Sequence, residues 1–221
     1  MNTITVRGFI FDVDATLVDT IAVIDEIWKE WSAVKKLNFT DVRPFVHGRK
    51  INETLAEINP KYNTEDGVLE VKCIAVEKMK KAKAITGALK FVKQIPNEMW
   101  SIATSGPRQV AVTSLKASGF SLPEVMVCGE DVTQGKPHPE PFLTAAKQLN
   151  LLPKQCVAFE DSPVGIRSAL EAGCFTIALT TSHAKHELEE ANVIIDDFAD
   201  INLIFTKDNE ITLVFHKWLN Q

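Results

Sequence analysis

The sequence predicts an α/β protein: a doubly wound parallel sheet with helices on both faces, and a small all-helical unit inserted after the first strand. Three observations predict it. From about residue 83 onward, short apolar runs alternate with segments of helical spacing, the pattern of right-handed βαβ units. Residues from about 18 to 82 carry helical periodicity, many Lys and Glu, and almost no strand signal. Ahead of both stands Phe9-Ile10-Phe11-Asp12-Val13-Asp14, an aromatic and β-branched run that reads as a buried strand and ends in two carboxylates.

Gly8 precedes that first strand, and strand alternation would put Asp12 and Asp14 on one face if it continued. The inserted unit follows. Ile21, Ile24, Ile27, Trp28 and Trp31 share one helical stripe, and Leu69, Cys73, Val76 and Met79 another. Trp28 and Trp31 are read as packing residues of this bundle. Beyond it, strands are expected at Trp100-Ile102-Ala103, Val125-Met126-Val127, Val157-Ala158-Phe159, Thr176–Leu179 and Val193-Ile194-Ile195. Helices are expected over 109–118, 141–149, 164–172 and 184–191, with Gly119 and Gly173 at C-caps. Ile211–Phe215, with Asp208-Asn209 ahead of it, is expected to pair with Leu203-Ile204-Phe205 as a terminal hairpin. The core is therefore assigned to 1–17 and 83–221, the insertion to 18–82.

Composition narrows the function. A chain of 221 residues, 45% hydrophobic, can bury one sizeable core. A net charge of −5 with interspersed signs and no basic tract excludes nucleic acid as the main ligand. The four cysteines, Cys73, Cys128, Cys156 and Cys174, are widely spaced and read as small core residues of a reducing compartment. There is no signal-peptide layout, and no apolar run approaches the roughly 18 residues a membrane span needs. A cytoplasmic protein is expected, with no membrane partner, acting as a monomer on a small metabolite.

Ligands of open parallel sheets bind beyond the carboxyl ends of the strands, and those ends carry a consistent set. The first delivers Asp12 and Asp14; the second Thr104-Ser105-Gly106; the third is followed by Gly135-Lys136-Pro137-His138-Pro139; the fourth delivers Glu160-Asp161-Ser162. Paired carboxylates suit a divalent cation, while hydroxyls, a glycine backbone and a lysine suit phosphate oxygens. Each piece alone has a plainer reading, with Thr104-Ser105 as a helix cap and Lys136 as a solvated loop residue. Their convergence on one sheet edge favours the site.

In that order the four segments resemble the motifs of the haloacid dehalogenase superfamily, over almost the whole chain. The helical insertion is similar to the cap of its β-phosphoglucomutase-like subfamily. Ala103–Gly106, Gly135–Pro141 and Phe159–Ile166 look closest to the glycerol-3-phosphatase and 2-deoxyglucose-6-phosphatase branch. The resemblance implies a Rossmann-like core and a Mg²⁺-dependent phosphatase of a small phosphorylated sugar or polyol. Asp12 would be the nucleophile that forms an aspartyl-phosphate, and Asp14 the general acid and then base. Mg²⁺ would sit on Asp12, the Asp14 carbonyl and Asp161, with Glu160 orienting its waters or touching the metal as a secondary ligand. Thr104, the Ser105 backbone N–H and Lys136 would hold the phosphoryl group. An acid at position 14 favours phosphoryl transfer over carbon–halogen chemistry. In the cap, His47-Gly48-Arg49 resembles a substrate-specificity loop from which Arg49 could reach the substrate, and Asp19-Thr20 lies at the hinge; His138 reads as a loop residue. Two other functions share these residues: a phosphohexomutase with the same core, and a catalytically silent binding protein. The one hint of the latter is Ala15, where the family usually has Gly. Ala15 is expected at negative φ, as a tolerated change in an active enzyme.

Overall fold

In the computed structural model, which describes residues 3–206 and 210–216, everything is arranged around a strand of four fully buried residues. The chain opens with β1 (Thr3–Val6) and then that strand, β2 (Gly8–Phe11). A short β3 (Val18–Asp19) leads into α1 (Ile21–Lys35), α2 (Phe39–Val42), α3 (Ile51–Ile58) and α4 (Glu65–Met79). The chain returns through β4 (Lys83–Ala84), which pairs antiparallel with β3. The regular alternation follows: α5 (Ala88–Val92), β5 (Trp100–Ala103), α6 (Arg108–Ala117), β6 (Val125–Val127), α7 (Glu140–Gln148), β7 (Cys156–Glu160), α8 (Pro163–Ala172), β8 (Phe175–Leu179) and β9 (Val193–Ile195). The last elements are β10 (Ile201–Phe205) and β11 (Ile211–Phe215).

The main sheet runs β6-β5-β2-β7-β8-β9, all parallel. Its order reverses direction at β2, between β5 and β7. In doubly wound sheets such a switch point opens a crevice beyond the strand ends. Both faces are covered, so the strands are apolar without alternation. Phe9 and Phe11 enter one layer with Phe159, Phe91 and Phe198, and Ile10 enters the other with Phe142, Ala146 and Ala158. The rings of Phe11 and Phe159 stack at 4.8 Å across the β2–β7 pair. Helix punctuation follows the sequence: Ser162 caps α8 through its hydroxyl to the Gly165 N–H, Gly173 ends α8 at φ +92°, and Gly119 follows α6 at φ +84°. No helix among the described residues is long and apolar enough to cross a membrane.

Four expectations need correction. Residues 184–191 form only a short turn around Lys185–Glu187, because Leu188 and Ala191 are their only buried side chains and cannot supply a helical stripe. Helix α4 buries Gly67, Val71, Ala75 and Met79 and leaves Leu69 and Cys73 exposed. Its buried stripe packs into the core, and its flanks pair with α1 through Lys35–Glu70 at 2.6 Å and Glu30–Lys78 at 2.9 Å. Cys73 is therefore a surface residue, whereas Cys128, Cys156 and Cys174 are buried and their thiols pushed up to about 12 by burial. The terminal hairpin of β10 and β11 gains β1 as a third strand, Thr3 opposite Val214; the expected Asp208-Asn209 turn lies outside the described residues. The fourth correction concerns Ala15, which stands at φ +60°.

Candidate active site

Position 15 is left-handed because the chain turns sharply where β2 ends. The Asp12 N–H still donates to Phe159 O at 3.0 Å, continuing the pairing with β7. The chain then closes on itself: Ala15 N–H donates to Val18 O at 2.7 Å, and the N–H groups of Leu17 and Val18 both reach Val13 O. The Thr181 hydroxyl donates to Ala15 O from the loop after β8. These bonds hold an L-residue in a region that costs roughly 1–2 kcal/mol. Asp12, Asp14 and Ala15 consequently line one cavity of about 470 Å³ at the switch point.

Lys136 is the central cation. Its Nζ lies 2.6 Å from Asp12 Oδ1 and 2.5 Å from Glu160 Oε1, and all three side chains are buried. Burial works against its ammonium, but Asp12 and Glu160 outweigh burial and raise its pKa. The carboxylates are less well served. Burial raises Asp12 well above the usual range; Lys136 opposes this, while Glu160, Asp161 and Asp14 add to it. Burial raises Asp14 as well, with Thr20, Lys136 and His47 opposing. Asp161 is pushed up to about 7 by burial and by Glu160, against the hydrogen bond from Ser182. Four carboxyls thus share one lysine, a buried excess of negative charge that a divalent cation would relieve. Among the described residues no three His, Cys, Asp or Glu side chains form a preformed metal centre. Two side-chain carboxylates, Asp12 and Asp161, together with the Asp14 carbonyl nevertheless make an oxygen donor set suited to Mg²⁺.

Glu160 was expected to orient metal-bound waters, and its oxygens are engaged elsewhere. Oε1 holds Lys136, while Oε2 accepts from the N–H of Asp161 at 3.1 Å, the N–H of Ser162 at 3.3 Å and the Ser162 hydroxyl at 3.1 Å. Gly165 makes room for it: a Cβ at that position would lie 1.9 Å from Glu160 Oε1. Thr104 is buried, and its Oγ1 accepts from the Gly106 N–H at 3.0 Å, leaving the hydroxyl proton free. Ser105 lines the cavity and donates through Oγ to Gly48 O at 3.1 Å, joining core to insertion. Arg49 also lines the cavity, with Nη1 3.4 Å from Glu57. Asp19 is exposed on β3, whereas Thr20 is buried beside Asp14. His138 sits in the turn before α7, its Nδ1 accepting from the Glu140 N–H.

Sequence reasoning passed over the loop after β8. There the Ser182 hydroxyl bonds Asp161 Oδ2, and His183 Nδ1 lies 2.7 Å from Ser182 Oγ; both residues line the cavity. Thr16 reaches Asp161 Oδ1 from the opposite side at 3.3 Å. The signal available was position alone, since Thr181-Ser182-His183 stands just past a strand end.

The sequence pattern of the haloacid dehalogenase-like hydrolases matches residues 9–179 of the chain. Hexitol phosphatase A of Escherichia coli is 30% identical over 212 residues, covering 94% of this chain and 98% of the relative. Glycerol-1-phosphate phosphohydrolase 2 of Saccharomyces cerevisiae is 28% identical, covering 97% and 92% of the two chains. Among solved structures, a β-phosphoglucomutase from Clostridium difficile superposes with a TM-score of 0.74 at 23% identity, over 87% of this chain and 91% of its own.

Proposed function

Because the chain belongs to the haloacid dehalogenase-like hydrolase family, we propose that it is a Mg²⁺-dependent phosphatase acting on a small phosphorylated sugar or polyol. The observation that carries this reading is the cluster of buried Asp12 and Asp161 and half-buried Asp14 lining one cavity with Lys136. The names of its relatives, a hexitol phosphatase and a glycerol-1-phosphate phosphohydrolase, support the substrate class.

Asp12 is the nucleophile. One of its carboxylate oxygens forms a bond to phosphorus as the ester P–O bond breaks, giving an aspartyl-phosphate and the free alcohol. Lys136, held against Asp12, opposes the burial that favours protonation of that carboxylate and neutralises charge on the phosphoryl oxygens. Thr104, through its free hydroxyl proton, and the Ser105 N–H bind the same oxygens. Asp14 gives the departing alkoxide its proton, a role that the raised affinity of its half-buried carboxyl for protons suits. It then takes a proton from the water that hydrolyses the aspartyl-phosphate. Asp12, Asp161 and the Asp14 carbonyl would hold Mg²⁺, which when bound would supply positive charge to the phosphoryl oxygens. The helices between β3 and β4 act as a cap, and Arg49 binds the substrate from that side.

The test is phosphate release from a panel of small phosphate esters, in Mg²⁺ or EDTA, with Asp12→Asn as the blank. Turnover that depends on Mg²⁺ and falls at least a hundredfold in Asp12→Asn is expected. Turnover that survives exhaustive chelation, or survives Asp12→Asn, refutes the mechanism.

A further inference from the structure

The cavity wall facing the phosphate site divides by polarity. Helices α1 and α4 present Ile24, Ile27, Trp28, Val71, Ala75 and Met79 to it. None of these offers a hydrogen bond to a substrate hydroxyl except the indole N–H of Trp28. A hydroxyl buried against such a wall gives up its water without replacement, which is unfavourable. One corner differs. Asp25, on α1, accepts hydrogen bonds from His47 Nε2 and from Arg43 Nε, each at 3.1 Å, and its side chain is only 16% exposed. His47 and Arg43 both line the cavity.

The pairing fixes the imidazole chemically as well as in position. A carboxylate only accepts, so Nε2 carries a proton. Nδ1 has no hydrogen-bond partner among the described residues and is the ring atom left for a ligand. His47 lines the same cavity as Asp14, the residue proposed to protonate the leaving group. Arg43 is 59% exposed and Arg49 42% exposed, with part of Arg49 committed to Glu57. His47, at 29%, is the most enclosed of the three; it shares the mostly buried Asp25 with Arg43, whose side chain is twice as exposed.

We infer that His47, held in place by Asp25, is the specificity-determining contact to a hydroxyl of the leaving alcohol. The preferred ester is then one whose alcohol carries hydroxyls along one edge and C–H surface along the other. Asp25 is a positioning residue that does not touch the substrate. This rests on the phosphatase reading above and adds to it the atoms that recognise the alcohol.

The experiment measures kcat and KM on three esters: a hexitol 6-phosphate, hexyl phosphate and p-nitrophenyl phosphate. The variants are Asp25→Leu, Asp25→Asn and His47→Gln, each with a thermal melt to establish folding. Asp25→Leu is expected to raise KM for the hexitol ester roughly tenfold or more with kcat little changed, and to raise KM for hexyl phosphate far less. Asp25→Asn, which still accepts from Nε2, recovers most of that loss. If Asp25→Leu does not fold, His47→Gln makes the same distinction between the two six-carbon esters. Equal KM increases on both, no increase on either, or a wild type that takes hexyl phosphate as readily as the hexitol ester overturns the inference while leaving a phosphatase. No phosphate from any of the three overturns the phosphatase reading, and this inference with it.

Discussion

Lys136→Met tests the electrostatic account of the site most directly. Methionine keeps the length of the side chain and removes the cation held between Asp12 and Glu160, whose carboxylates lie 2.6 and 2.5 Å from Nζ in an interior almost without solvent. Breaking a buried ion pair from one side costs about 3–5 kcal/mol, because the partner charge is left uncompensated. For a chain of this length about 1 kcal/mol corresponds to roughly 2–4 °C, so the melting temperature should fall by about 6–20 °C. The sign with pH follows from proton uptake. Without the lysine the two carboxyls repel and bind protons more tightly folded than unfolded. Their destabilising effect is then absent at low pH and grows as pH rises above the ordinary carboxyl range. The deficit should be larger at pH 8 than at pH 5, measured by calorimetry without divalent cations. Adding Glu160→Gln, which preserves shape against Gly165, should recover about half of it. A single variant melting within about 2 °C of wild type at both pH values, or a double variant less stable than the single, would refute the reasoning.

Asp14→Asn should lower kcat by roughly 10²–10⁴-fold on alkyl phosphates and much less on p-nitrophenyl phosphate, whose leaving group needs no proton; equal losses would contradict the acid role. Ala15→Gly should raise the melting temperature by about 2–4 °C, since a residue at φ +60° gains about 1 kcal/mol on losing its methyl. A lower melting temperature would mean that the turn does not strain Ala15. Asp161 titrates near 7 in the folded chain against 3.8 ordinarily, so without metal its contribution to stability declines as pH rises through that interval. The thermal shift on adding Mg²⁺ should accordingly be larger at pH 7.5 than at pH 5, and equal shifts would argue against Asp161 as a ligand.

The main sheet was legible because strands buried on both faces leave continuous apolar runs, and Gly119 and Gly173 marked where α6 and α8 end. Less was legible where several answers satisfied one pattern. Helix α4 carries more apolar residues than one face holds, with Val68, Leu69, Val71, Cys73, Ile74, Ala75, Val76 and Met79 interspersed among six charged residues. Periodicity alone does not choose its face; packing of Val71, Ala75 and Met79 into the core does, with Lys35, Glu26 and Glu30 of α1 pairing to its flanks. Strand β1 escaped notice because its partner, β11, lies at the other end of the chain. In the site, each strand-end motif was visible as a local cluster. Asp25 was not, because its bonds to Arg43 and His47 join residues 18 and 22 positions away.

Ala15 shows why a residue's own preference was the wrong guide at the centre of the site. Alanine alone favours negative φ, and nothing local in Asp14-Ala15-Thr16 says otherwise. The conformation is imposed by what lies on either side. β2 must stay paired with β7 as far as Asp12, and the chain must turn back soon enough for Val18 to pair with Ala84 and start the inserted helices. The hydrogen bonds from Ala15, Leu17 and Val18 close that turn, and Thr181 secures its carbonyl from a neighbouring loop. Several bonds of about 1 kcal/mol each outweigh one strained residue of roughly 1–2 kcal/mol. With the turn so closed, Asp12 and Asp14 face the same cavity although Val13, between them, points into the core. The positive φ at Ala15 is thus part of how the fold brings its two proposed catalytic carboxylates to one substrate.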